Sequence, residues 1–414
     1  MSEWPLIRLG ECLRAPPDYG ANAAAVAFES GLPRYVRITD VADDGTLIHG
    51  TAVSVPRAFA DGALLEEGDV LFARSGATVG KTYLYTPADG ECAFAGYLIR
   101  FRTDSAKLLP EFLSRYTKSR AYWRWVARIA HAGAQPNISA QEYLDLPVPG
   151  LAIEEQEAIV RTVSPWECAQ RKLAALIDAK RGFKRGLAQH LLMGKQRFKE
   201  FVRSPRFQET VAGPLPEDWG AKSLRGLFTP VTRRNTSGIG IVLTASGEHG
   251  LVNQRDYFSR SVAGDDLKGY YLLRKGEFAY NRSFMKGYPC GAIKRLEQYD
   301  EGTLSTLYIC FALAAPGHDA DFFAQVFEGG LLNRQLGQII KVGARAHGLL
   351  NITAEDFYNV RVPVPSEPEQ RAIAQLLSAC DRELDLLERL RTALDQQRRG
   401  VAELLLTGKV RVPA

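Results

Sequence analysis

Residues Asn137–Phe198 open as NISAQEYLDLPVP, continue through EEQEAIV and close on GLAQHLLMGKQRF. Residues Asn351–Val412 open as NITAEDFYNVRVP, continue through PEQRAIA and close on GVAELLLTGKVRV. The two stretches align without a gap at a constant offset of 214 residues, and roughly a third of the aligned positions are identical. A repeat of fixed period shows how many times one structural plan is used. Here the period is about half of the 414 residues, so the chain is one duplicated plan and not a solenoid.

Each copy carries a long helical pattern. In residues 151–195, Ile159, Val163, Trp166, Gln170, Leu173, Leu176, Lys180, Phe183, Leu187 and Leu191 recur at spacings of three and four, the narrow stripe of a coiled-coil seam. In residues 366–408 the stripe is Ile373, Leu377, Cys380, Leu384, Leu387, Leu390, Leu394, Val401 and Leu405. Pro165 lies inside the first pattern and should kink or interrupt it. Gly194 and Gly408 stand where each helix should end. Two helices with one apolar stripe each are expected to bury those stripes against each other. Antiparallel packing would place the segments before them at opposite ends, about a pseudo-two-fold axis.

Those preceding segments read as mixed domains. In residues 1–150, β-type runs at Tyr35–Thr39, Asp69–Ala73, Thr82–Tyr85 and Tyr97–Arg102 are punctuated by turn signals, and a helix is expected over Pro110–Ile129. Residues 213–365 repeat the plan. Trp219 and Leu224 mirror Trp4 and Leu9, and GEFAYNRS (Gly276–Ser283) mirrors GDVLFARS (Gly68–Ser75). The expected organisation is α+β: domains at 1–150 and 213–365, a first helix and linker over 151–212, and a second helix over 366–414. Repetition of Trp4 and Trp219 argues for domain packing rather than ligand contact.

Composition sets outer bounds. Hydrophobic content of 46% and charged content of 24% are those of an ordinary globular chain. No run approaches the roughly 18 apolar residues of a membrane span. The opening MSEWPLIRLG lacks the basic and apolar regions of a signal peptide, so a cytoplasmic protein is expected. The six cysteines form no CxxC pair and are expected to be reduced and mostly buried. No metal site is expected, since the six histidines lack ligand spacing. Net charge is +5, and residues 151–212 alone supply it. Within that segment Lys180, Lys184 and Arg185 are candidate contacts for a partner or for phosphates.

Catalytic motifs fail on inspection. SGATVGKT (Ser75–Thr82) resembles a phosphate-binding loop, but serine stands where the first glycine is required, and the second half lacks GK[ST]. A glycine-rich turn between strands is the better reading. APPDY (Ala15–Tyr19) has the letters of a methyl-transfer motif in the wrong order, and no catalytic residue is assigned. If the two mixed domains read two different stretches of DNA, residues equal in both cannot carry the difference. Arg74 and Arg282 are equal, so they suit scaffold or phosphate contact. Base readers should lie where the halves differ and should offer polar or aromatic side chains. Those are Arg34, Arg37, Lys81, Tyr83 and Tyr85 in the first half, and Arg233, Arg234, Asn235, Lys268, Lys286 and Tyr288 in the second.

The chain resembles the specificity subunits of type I restriction–modification systems. The resemblance is carried by GAQPNIS (Gly133–Ser139) and GLLNIT (Gly348–Thr353), by VPGLAIEEQEAIV and VPSEPEQRAIA, by LLMGK and LLTGK, and by FARSGATVGKT and GPLPEDW. It covers essentially the whole chain, and the order of the motifs, duplicated at a fixed offset, is its specific feature. It implies two target-recognition domains, each reading half of a split site on double-stranded DNA, and two helices that act as a ruler. It also implies two methyltransferase subunits that use S-adenosylmethionine, a restriction or translocase subunit that can join, and no catalytic residue or cofactor in this chain. Gln135-Pro136 is replaced by Leu349-Leu350 in the second copy, so no shared role is assigned to Gln135. The competing readings are a stand-alone DNA-modifying or DNA-cleaving enzyme and a coiled-coil scaffold unrelated to DNA.

Overall fold

The computed structural model describes residues 4–130, 136–247, 249–257, 267–340 and 349–413. The chain forms two compact units. One comprises Met1–Ala175 with Arg389–Ala414, and the other comprises Leu176–Glu388. Each unit takes a mixed domain and a length of both long helices.

The first unit is built on a four-stranded antiparallel sheet in the order Asp18–Tyr19, Leu98–Phe101, Val70–Ala73, Thr82–Leu84. Its central strands are buried along their whole length because both faces are covered. Alternation assigns the faces. Val70, Phe72, Ile99 and Phe101 join the core formed with Phe112, Leu113, Tyr122, Trp125 and Tyr143. Leu71, Ala73 and Leu98 face a second core, shared with Val36 and Phe94 of a small mixed sheet. Between the sheets Arg100 is buried. Its guanidinium donates to Asp18 at 3.0 Å, to Asp69 at 3.3 Å and to the Leu64 carbonyl at 2.7 Å. The helix expected over 110–129 is two helices, Pro110–Tyr116 and Arg120–Ile129. Ser119 breaks the pattern by accepting the Tyr122 N–H at 3.2 Å, which satisfies an N-terminal donor of the second helix.

The second unit repeats this arrangement. Its sheet runs Phe228–Pro230, Ile309–Leu313, Phe278–Asn281, Ala292–Arg295. Phe278, Tyr280, Ile309 and Phe311 face helices and join Phe322, Phe323, Phe327 and Phe357. Ala279 and Cys310 face Leu243, Leu251, Leu273 and Leu304. Phe72 meets Tyr143 at 4.9 Å in one unit, and Tyr280 meets Phe357 at 4.8 Å in the other. The segment expected to be a bare linker carries a hairpin, Phe207–Thr210 paired with Gly213–Pro216.

The repeated motifs fall on joints. Ser139 with Glu142, and Thr353 with Asp356, form reciprocal capping boxes at the short helices that follow NIS and NIT. Gln156 and Gln370, the shared glutamine of EEQ and PEQ, are wholly buried. Gln156 accepts the Leu109 N–H and donates to the Lys107 and Leu151 carbonyls, at 2.9–3.0 Å. Gln370 accepts the Asp319 N–H and donates to the Pro365 carbonyl, both at 2.9 Å. An amide is needed because one side chain must both accept and donate there, and leaving such buried partners unmade costs about 1–3 kcal/mol each.

The long helices span Ile153–Leu191 and Glu367–Leu406. They lie antiparallel within each unit: Gln170 bonds Asp395 in the first, and Arg181 pairs with Glu388 in the second. The expected seam holds to Leu173, shifts locally by about a residue, and is buried again at Leu191. Ile177 and Ala188 are buried, while Leu176 and Phe183 are exposed. A helix of 3.6 residues per turn slips about 20° per heptad against a strict 3.5 pattern. Pro165 does not interrupt the helix. Thr162 and Ser164 donate to the carbonyls four residues back at 2.7 Å, so hydroxyls supplement the backbone bonding around the proline.

Each helix ends on a left-handed glycine, Gly194 at φ 66° and Gly408 at φ 77°. A tryptophan packs on each end. A Cβ on Gly408 would lie 2.9 Å from the Trp4 ring, and one on Gly194 would lie 2.4 Å from Pro216 and 3.3 Å from Trp219. Arg411 sits 4.5 Å over Trp4, and Arg197 sits 5.5 Å over Trp219. The second joint is the more polar. Arg197 binds Glu369 and Asp218 at 2.7 Å, and Glu369 also accepts the Trp219 indole N–H at 3.0 Å. Burial works against the Arg197 charge, but the hydrogen bonds to Glu369 and Asp218 outweigh it and hold the guanidinium firmly protonated. Arg197→Ala should therefore strand the Glu369 carboxylate, which is 1% exposed, and cost about 3–5 kcal/mol. Arg411→Ala, which removes an exposed cation from a ring, should cost about 0.5–1 kcal/mol. Urea denaturation of the two variants measures the difference.

Candidate nucleic-acid interface

Arg74 and Arg282 occupy the same structural point, the end of the central strand where the NIS or NIT segment crosses it. The Arg74 carbonyl accepts the Ile138 N–H at 2.8 Å, and the Arg282 carbonyl accepts the Leu350 N–H at 2.7 Å. Arg282 donates its guanidinium to the Leu307 and Ile352 carbonyls at 3.0 Å. Arg74 lies 5.0 Å over the ring of Tyr19. Each arginine directly precedes a loop between two strands of its sheet. In the first unit that loop is the SGATVGKT run, a glycine-rich turn joining strands Val70–Ala73 and Thr82–Leu84. Gly80 has φ 87° and no room for a side chain, since a Cβ would lie 2.8 Å from Val126.

The candidates from the first half gather around one hairpin. Arg34 is 7% exposed and donates to the Ile48 carbonyl at 2.8 Å. Arg37 pairs with buried Asp40 at 2.9 Å and donates to the Thr51 carbonyl at 3.0 Å. The hydrogen bond that Arg37 donates to Asp40 raises the Arg37 pKa against the opposing effect of burial. Lys81 pairs with Asp43 at 2.7 Å, and its hydrogen bond and charge lower that carboxyl's pKa. Tyr83 and Tyr85 are core residues, with hydroxyls on Asp89 and on the Gly90 carbonyl. Burial, followed by the Asp89 bond, pushes the Tyr83 phenol far above its usual range. Arg34 thus braces the segment around Ile48, and Tyr83 and Tyr85 brace the turn at Asp89 and Gly90, while Arg37 and Lys81 are held by Asp40 and Asp43.

The candidates from the second half fall in two places. Arg233 pairs with Glu277. Arg234 stacks 4.7 Å over Tyr271 and donates to the Gly269 carbonyl, beside exposed Lys268. Asn235 is 1% exposed and closes a turn through both its amide atoms on Ile239. Lys286 is exposed on the loop after Arg282. Tyr288 bonds the Gly247 carbonyl and Glu328, and Lys294 donates to its hydroxyl at 2.7 Å. Burial and the Glu328 charge raise its phenol well above the ordinary value.

Three exposed side chains beside these loops escaped the sequence reading. Tyr97 is 60% exposed, and Leu307 takes its place in the second unit at 56%. Phe284, at the tip of the loop after Arg282, is 67% exposed. Large apolar side chains in turns, directly before a strand or after an arginine–serine pair, were the available signal. At these tips the two units differ in chemistry, while Arg74 and Arg282 recur.

Lys180 and Lys184 face the second long helix. Lys180 pairs with Glu383 at 2.7 Å, and Lys184 pairs with Asp381. Arg185 is exposed. Much of the positive charge in the first helix therefore meets acid on its neighbour. Among the described residues no group of three His, Cys, Asp or Glu side chains could hold a metal ion, and no helix is long and apolar enough to cross a membrane. Cys12, Cys92, Cys290 and Cys310 are buried. Burial pushes the Cys92 thiol up to about 11 and that of Cys310 up to about 12, which leaves both protonated at neutral pH.

The structure defines a class of protein: a duplicated α+β chain whose two mixed domains share one helical frame and differ in their exposed loops. No family model matches the chain. In sequence it is similar to the protein named as the type I restriction enzyme MjaX specificity subunit of Methanocaldococcus jannaschii, at 23% identity over 370 residues, which are 83% of this chain and 79% of that one. It is also similar to the type I restriction enzyme MjaVIII specificity subunit of the same organism, at 20% identity over 67% of this chain and 65% of the relative. In fold it matches the S subunit of a type I restriction–modification system from M. genitalium, with a TM-score of 0.56 at 15% identity, covering 98% and 96% of the two chains. A further structure, from work on assembly and conformational transition of a type I restriction–modification system, matches with a TM-score of 0.50 at 14% identity over 98% of each chain. In sequence the chain is thus similar to type I restriction-enzyme specificity subunits, and its fold is that of an S subunit.

The ion pairs between the long helices give a direct test of what their lysines do. Lys184→Asp should lower the urea midpoint by setting like charges against each other. The exchange K184D/D381K should recover most of that loss, since the Gln325 amide that bonds Asp381 can turn to accept instead. A lysine that served only an outside partner would leave the midpoint of the single variant unchanged.

Proposed function

We propose that this chain is the DNA-reading, non-catalytic subunit of a type I restriction–modification complex. Each mixed domain reads one half of a bipartite site on double-stranded DNA, and the long helices set the number of base pairs between the halves. Two methyltransferase subunits dock on this frame and supply S-adenosylmethionine and the chemistry. A restriction or translocase subunit joins in systems that cleave. The complex acts in the cytoplasm, where the chromosome is.

The observation that carries this reading is the contrast between frame and loop. Capping boxes, buried glutamines, helix-ending glycines and tryptophan joints recur in both units. The loop tips that follow Arg74 and Arg282 do not: Ser75-Gly76-Ala77-Thr78 stands against Ser283-Phe284-Met285-Lys286. An enzyme duplicated in this way would keep its reacting groups in both copies or in one. Two readers of different half-sites would keep the scaffold and vary the contacts. Bivalent reading from one stiff frame also raises affinity without new contacts, because the second half-site binds at high effective concentration.

Two experiments test the reading. Replacing residues 213–350 with the matching region of a relative should change one half of the methylated motif and leave the other intact; a change in both halves would contradict independent readers. Inserting one helical turn in register into both long helices should lengthen the spacer and leave both half-sites unchanged. A spacer that stayed fixed would remove the ruler role.

A further inference from the structure

The helix Arg120–Ile129 has two chemically opposed faces. Tyr122, Trp125 and Val126 are buried. The Tyr122 hydroxyl donates to the Gly80 carbonyl at 2.7 Å, and Trp125 lies 5.7 Å from Tyr143. On the other side Arg120, Trp123, Arg124 and Arg128 are exposed. The arginines stand at i, i+4 and i+8, so they form one row, about 6 Å apart at 1.5 Å per residue.

This row is unfavourable for the helix itself. Like charges at i, i+4 destabilise a helix by a few tenths of a kcal/mol per pair. A cation in the first turn opposes the helix dipole, and the helix has no acidic residue of its own. One carboxylate, Glu403, reaches the helix start, but it accepts the backbone N–H of Arg120 at 3.1 Å and forms no ion pair with the guanidinium. Among the described residues none of the three guanidinium groups has an acidic partner. Arg124 makes one contact, to the Arg120 carbonyl at 3.3 Å. Other arginines are engaged, Arg37, Arg100, Arg115, Arg197 and Arg233 by carboxylates and Arg34, Arg234 and Arg282 by backbone carbonyls. The row also stands beside the glycine-rich turn, since a Cβ on Gly80 would meet Trp123 at 3.2 Å.

The matching helix of the second unit, Asn333–Ile339, lacks the row. At the 214-residue offset Arg334 stands for Arg120, but Gly337 replaces Trp123 and Gln338 replaces Arg124. The feature belongs to one unit and not to the shared frame.

We infer that Arg120, Arg124 and Arg128, with Trp123 beside them, form a DNA-backbone clamp specific to the first unit. Charge complementarity selects the occupant. A row of unpaired guanidinium groups with no interspersed acid fits the run of phosphates along one DNA strand, each of which can take two parallel N–H bonds from an arginine. Trp123, 40% exposed beside the row, adds an indole N–H donor to this side of the helix. This inference rests on the DNA-reading role proposed above and assigns that role an asymmetry: non-specific affinity and its salt dependence come mainly from the first unit.

The test is fluorescence anisotropy of the full-length protein on a labelled duplex of arbitrary sequence across a potassium chloride series, with and without its methyltransferase subunits. Each phosphate contact contributes about 0.9 to the slope of log K against log salt. R120Q/R124Q/R128Q should lower that slope by about 2–3, and R124Q alone by about 1. The charge-keeping R120K/R124K/R128K should hold the slope near the wild-type value, and Arg334→Gln should change it by no more than about 1. An unchanged slope in R124Q and in the triple glutamine variant, with wild type binding DNA, would overturn the clamp and leave the DNA-reading role standing. Loss of methyltransferase binding at an unchanged DNA slope would reassign the face to a protein partner. Wild type that binds no duplex under either condition would overturn the DNA-reading role itself, and the clamp with it.

Discussion

The structure depends on how the long helices end. Each runs out onto a left-handed glycine, and a tryptophan closes on that glycine where no side chain would fit. Trp4, from the start of the chain, closes on Gly408 near its end; Trp219, from the second half, closes on Gly194 in the first. Each compact unit is therefore completed by helix from the other half of the sequence. Neither half carries all the parts of its own core, which explains why the helix-ending motif, the opening tryptophan and the buried glutamine are held in common while the loops are free to diverge.

That constraint also explains what could be read from the sequence. The 214-residue repeat located the helices, their terminal glycines and the mirrored strands, because these are set by local rules: apolar spacing, turn chemistry and capping. Three features were not legible. The seam was read as a fixed heptad stripe, but a straight helix drifts, so Leu176 and Phe183 are exposed while neighbouring Ile177 is buried. The helix over 110–129 is broken by a serine that competes for backbone hydrogen bonds, a choice periodicity does not register. The buried Arg100 network with Asp18 and Asp69 joins residues 31 and 82 positions apart.

The interface was less legible than the fold for a related reason. Residue type nominates a reader, but exposure and pairing decide whether it can act. Tyr83, Tyr85 and Asn235 have suitable chemistry and lie in the core, while Arg37, Lys81 and Arg233 are engaged by carboxylates. Phe284 and Leu307 have no polar group to draw attention, and Tyr97 was read only as the start of a strand; all three are exposed. A row of arginines on a short helix is visible in sequence, but its significance depends on the absence of partners, which is a property of the fold. The asymmetry first seen as excess charge in residues 151–212 is partly absorbed by Asp381, Glu383 and Glu388. Unpaired positive charge reappears instead on the helix Arg120–Ile129.

The central claim is that one frame carries two independent readers. Methylome sequencing of cells that express this chain with its methyltransferase subunits tests it most directly. The account predicts a single motif of two unlike half-sites separated by a fixed run of unspecified base pairs. A continuous motif, or one whose halves vary in spacing, would contradict it.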